Sequence, residues 1–137
     1  MIRVVVDTNV LVSALISPRG NEALLVLAIN DGLVRTCYSS EILDEYAEVL
    51  ARPKFGFPAD IIAELIDTLR RNGDLIRVKL SIPLSPDPGD DKFLACALAA
   101  KADFVATGNK RDFPEPRIEP TKVVSTAELL DLITIEM

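Results

Sequence analysis

The run Ile2-Arg3-Val4-Val5-Val6, closed by Asp7-Thr8-Asn9, constrains this chain more than any other segment. β-Branched residues with a single polar member suit a strand buried on both faces, which is the habit of parallel sheets. Parallel neighbours need a crossover between them, usually a helix. Apolar spacing and breakers supply those crossovers. Helices are predicted over Val10–Ile16, Asn21–Asn30, from Ser39 or Ser40 to Ala51, over Ala59–Arg71 and Asp90–Lys101, and from a Ser125 cap to about Ile133. Strands are predicted over Leu33–Tyr38, Leu75–Leu80, Asp103–Thr107 and Lys122–Val124. Two proline-bearing stretches, 82–89 and 108–120, read as loops. The alternation predicts one α/β domain over residues 1–137, with a central, mainly parallel five-stranded sheet covered by helices on both faces.

Composition narrows the chemistry. The chain has no histidine, which excludes imidazole acid–base catalysis, Ser-His-Asp and Cys-His nucleophiles, and HExxH zinc sites. Its two cysteines, Cys37 and Cys96, form no CxxC pair, which argues against a zinc ribbon or a disulfide-built domain. Fifteen Lys and Arg stand against 21 Asp and Glu, a formal charge of -6. A passive nucleic-acid coat would be basic, whereas an enzyme can meet phosphate through metal ions in a carboxylate cluster. An acid at position 7 leaves no room for a signal-peptide core or a membrane span at the start, so the expected compartment is the cytoplasm.

In open α/β sheets, ligands sit beyond the carboxyl ends of the strands. Asp7 follows the first strand, and Asn109 and Asp112 follow the Asp103–Thr107 strand. Asp90 and Asp91 open a helix, and Glu45 lies in the helix after the second strand. Each has a plainer reading as a helix cap, first-turn acid or turn residue. Of the four acids Glu41, Asp44, Glu45 and Glu48, only Glu45 falls on the border of the face made by Ile42, Leu43, Tyr46, Val49 and Leu50. Carboxylates without histidine favour a hard divalent cation such as Mg²⁺ and metal-assisted phosphodiester hydrolysis. Thr8, Asn9, Thr107 and Asn109 are placed to orient those carboxylates. Arg19, Arg52, Lys54, Lys110 and Arg111 are candidates to guide a nucleic-acid backbone, although solvated surface charge accounts for any one of them.

The segments VVVDTNVLVSALISPRG, SSEILDEYAEVLARPKF and DPGDDKFLACALAAKADFVATGNKRDF, with a short last strand and helix, together resemble the PIN-domain ribonucleases, in the branch of toxins of toxin–antitoxin systems. The resemblance implies a three-layer α/β/α sandwich and a Mg²⁺- or Mn²⁺-dependent endoribonuclease acting on RNA. It places the family's acids on Asp7, Glu45 and Asp90, with Asp91 the less favoured alternative. In the fourth region many relatives carry Asp where this chain has Asn109, and the acid here is Asp112. Asp7, Asp90 and Asp112 are then the expected metal ligands, with Glu45 as a further ligand or the residue that orients the attacking water. A homodimer and a cognate antitoxin are implied as partners. The competing reading is a catalytically inactive PIN-like interaction module. A phosphatase of the dehalogenase kind would need an acid where Asn9 stands, and a receiver domain would need an early acid pair that is missing.

Overall fold

In a computed structural model of the chain, residues 1–79, 91–108 and 121–136 are described. The predicted first strand forms at Arg3–Val6 (β1), and its valines are almost completely buried. It pairs in parallel with Arg35–Tyr38 (β2) on one side and Phe104–Ala106 (β4) on the other. Gly73–Leu75 (β3) and Lys122–Val124 (β5) complete an all-parallel five-stranded sheet in the order β3-β2-β1-β4-β5. The helices are Thr8–Ile16 (α1), Asn21–Asn30 (α2), Ser40–Leu50 (α3), Ala59–Arg71 (α4), Asp91–Ala100 (α5) and Thr126–Glu136 (α6). α5 packs on β1, β2 and β4, while α2 meets α1, α4 and α6. The predicted α/β sheet architecture is therefore the observed one.

The strand order carries a functional consequence. From β1 the chain steps outward to β2 and β3, then returns to add β4 and β5 on the other side of β1. The direction of winding reverses between β1 and β4. In parallel sheets that reversal splays the crossovers apart at the carboxyl ends of the two strands and opens a ligand crevice there.

Local chemistry explains most element ends. Ser39 caps α3 by accepting a hydrogen bond from the Ile42 amide at 3.2 Å. Ser125 and Glu128 form a reciprocal capping box at α6, each backbone amide donating to the other's side chain. Gly32, at φ +76°, closes α2, with its own amide donating to the Ile29 carbonyl and that of Leu33 to Ala28. Besides the third strand, three boundaries differ from expectation by two or three residues. α1 begins at Thr8 rather than Val10, β2 begins at Arg35 rather than Leu33, and α6 continues past Ile133 to Glu136.

The larger correction is the third strand, expected over Leu75–Leu80 and found at Gly73–Leu75. Close approach is the reason. Gly73 lies opposite Thr36, and a Cβ there would sit 2.2 Å from Thr36 Oγ1 and 2.6 Å from the Leu69 carbonyl. Glycine alone lets the backbone enter the sheet one residue after α4 ends at its Asn72 cap. Among the described residues no single helix is long and apolar enough to cross a membrane.

Candidate active site

Asp7 follows β1, and Thr107 follows β4, so both stand at the point where the winding reverses. The two are joined: Thr107 Oγ1 donates to Asp7 Oδ2 at 2.7 Å, and the Asp7 amide donates to the Ala106 carbonyl at 2.9 Å. Asp7 occupies the cap position of α1, yet its side chain closes no capping hydrogen bond. Its carboxylate is turned to Thr107 instead, and only 5% of the residue is exposed. Burial pushes its pKa above the ordinary carboxylate value. The Thr107 bond opposes that rise, the charge of Glu45 adds to it, and the nearby Asn9 and Thr8 amides pull it down more weakly.

Glu45 reaches the same place from α3. Its neighbour Tyr46 is almost fully buried and donates its hydroxyl to the carbonyl of Val6, the last residue of β1. That bond pins α3 to the end of the strand and sets Glu45 beside Asp7. Burial raises the Tyr46 phenol well above its usual value, with Cys96, Asp7 and Glu45 adding smaller contributions. Thr8 Oγ1 donates to Glu45 Oε2, and Lys92 Nζ donates to Oε1 at 2.6 Å. Asp7, Thr8, Glu45 and Thr107, four residues picked out from sequence, are thus brought together.

The other candidates fare differently. Asn9 is exposed in the first turn of α1, and Asp91 is half-buried at the start of α5. Asp90, Asn109, Lys110, Arg111 and Asp112 lie outside the described residues. Arg19 is exposed in the turn between α1 and α2. Arg52 makes two hydrogen bonds to Glu48 one turn back, and Lys54 lies over the Phe55 ring, 5.1 Å from its centre. Both sit at or beyond the far end of α3, about two turns past Glu45. Sequence reasoning missed Lys92. Its one visible signal was a single cation in a helix that is apolar after Asp91.

Oxygen donors suit hard divalent cations. Mg²⁺ commonly takes one or two carboxylates and completes its shell with water and substrate phosphate. Asp7 and Glu45, close enough for one charge to raise the other's pKa, fit that pattern. Among the described residues no group of three or more Asp, Glu or Cys forms a fuller cage. A trough of about 460 Å³, lined by Ser39, Ser40, Glu41, Leu75, Ile76, Arg77 and Val78, opens beyond the carboxyl ends of β2 and β3 on the same edge of the sheet.

Fold and site together define a parallel α/β domain with a carboxylate pair at its switch point. The chain belongs to the PIN-domain family, whose profile matches residues 3–111 and so spans β1 to β4, Asp7 and Glu45. PIN domains are typically metal-dependent nucleases, so nuclease chemistry is the general activity this membership indicates. Searches of curated proteins and of solved structures gave no match.

Proposed function

We propose that this chain is a Mg²⁺- or Mn²⁺-dependent endoribonuclease that hydrolyses RNA phosphodiester bonds, and that it is the toxin of a toxin–antitoxin pair. The observation that carries the reading is the convergence of Asp7 and Glu45 at the reversal between β1 and β4 in a chain of the PIN family.

Asp7 would hold the ion, with Asp90 and Asp112 as the further ligands expected from sequence. Such an ion would lower the pKa of a water and offset charge gathering on the phosphate. Thr107 fixes the Asp7 carboxylate through its hydroxyl, so little reorganisation is needed when the site loads. Thr8 does the same for Glu45, which would orient the attacking water or take its proton. Attack at phosphorus opposite the 3′ oxygen breaks that bond and leaves 5′-phosphate and 3′-hydroxyl ends. Arg19, Arg52, Lys54, Lys110 and Arg111 would guide the RNA, with Arg52 paired to Glu48 across one exposed helical turn and Lys54 over the Phe55 ring.

The partner proposals rest on a different surface. Ile16, Leu24 and Leu27 are exposed on the α1–α2 hairpin, beside an apolar groove of about 300 Å³ lined by Leu15, Val26, Ile61 and Leu65. Exposed apolar area of this kind marks an interaction face, and it suits a homodimer or an antitoxin.

The test is cleavage of a mixed single-stranded RNA pool with Mn²⁺ or Mg²⁺, with EDTA, and by Asp7→Asn. Cleavage by the parent that EDTA and Asp7→Asn both abolish, in a variant that remains folded, supports the reading. An intact pool under all conditions turns it toward the inactive interaction module.

A further inference from the structure

Lys92 is out of place by local rules. It lies in the first turn of α5, where the helix dipole disfavours a cation. Its side chain is only 18% exposed, although a surface lysine ordinarily keeps its ammonium in water. What it meets there is Glu45, at 2.6 Å, itself 22% exposed and lying beside the buried Asp7. The second oxygen of Glu45 is taken by Thr8. Two carboxylates side by side, both largely covered, repel each other and lose hydration. A positive charge offsets both costs beyond what the Thr107 and Thr8 hydroxyls supply, and Lys92 brings one from a neighbouring helix.

We infer that Lys92 is the resident counter-cation of the Asp7–Glu45 pair, and that its ammonium and a divalent ion compete for Glu45. The inference rests on the reading of this pair as a cation site and adds a positioning residue to it. Lys92 holds the Glu45 carboxylate in place before loading. The same charge lowers affinity for the incoming ion, because like charges near one carboxylate repel in a partly desolvated site.

Calorimetric titration of Mn²⁺ into EDTA-stripped parent and Lys92→Met separates this role from a merely structural one. Lys92→Met is expected to melt at a lower temperature without metal and to bind Mn²⁺ about tenfold more tightly. A lysine that only held the fold together would weaken both properties on removal. Equal or weaker Mn²⁺ binding by folded Lys92→Met, with the parent binding normally, overturns the inference and leaves the nuclease reading standing. Binding by neither protein overturns both. Should Lys92→Met fail to fold, the parent itself is decisive: the ¹⁵N-labelled Lys92 ammonium signal should move as Mg²⁺ saturates the site. A signal unchanged at saturation overturns the inference.

Discussion

Tyr46→Phe removes one atom from the joint between scaffold and site. The hydroxyl donates to the Val6 carbonyl across 40 residues of sequence, and the ring around it is almost fully buried. Phenylalanine keeps the ring and its packing, so the loss is confined to the hydrogen bond and to a buried carbonyl that loses that donor. Leaving a buried acceptor short of its partner costs about 1–2 kcal/mol. A chain of 137 residues, at roughly 2.1 cal/mol/K per residue, unfolds with an entropy of about 0.29 kcal/mol/K. The melting temperature should therefore fall by about 3–7 °C, read by differential scanning calorimetry on EDTA-treated protein. Because Val6 immediately precedes Asp7, Mn²⁺ affinity should fall as well. A melting temperature within 1 °C of the parent's would refute the claim that this bond ties α3 to β1.

Gly73→Ala should destabilise by about 2–3 kcal/mol, since its Cβ would meet two backbone carbonyls inside 3.0 Å, and urea denaturation measures this; an unchanged midpoint would argue against the close β2–β3 register. Asp7 also makes stability depend on pH. With its folded pKa raised, the native state keeps a proton that the unfolded chain has already lost, so stability falls as pH rises from the unfolded value through the higher folded one. Asp7→Asn removes that slope, so metal-free Asp7→Asn should gain on the parent as pH rises above the ordinary carboxylate value of 3.8; parallel denaturation curves would contradict the shift. Both cysteines are buried, with burial raising the Cys37 pKa and pushing the Cys96 thiol up to about 12. Neither should react with a thiol reagent at pH 8 until the chain unfolds, and rapid labelling of native protein would show the core to be open.

Much of the fold was legible because the signals were local. The Ile2–Val6 run and the caps at Ser39 and Ser125 each depend on neighbours in sequence, and each acts where expected. β3 was misplaced because its entry into the sheet depends on the space opposite Thr36, which the apolar pattern of Leu75–Leu80 does not encode. Asp7 and Glu45 were legible as acids on the right edge. Their meeting depends on Tyr46, whose apolar-face position marked it as core without revealing its bond to Val6. Lys92 escaped because a lysine beside two aspartates reads as local charge balance, whereas its partner lies 47 residues away on α3. Asp90, Asn109 and Asp112 remain expectations from sequence.

On the proposed reading, Asp7 anchors a cation site rather than capping a helix. The most direct measurement is calorimetric titration of Mn²⁺ into metal-free parent and metal-free Asp7→Asn, with circular dichroism confirming that both are folded. Saturable binding by the parent that Asp7→Asn loses is the expected result. Equal binding by the two proteins, or none by the parent, would contradict it.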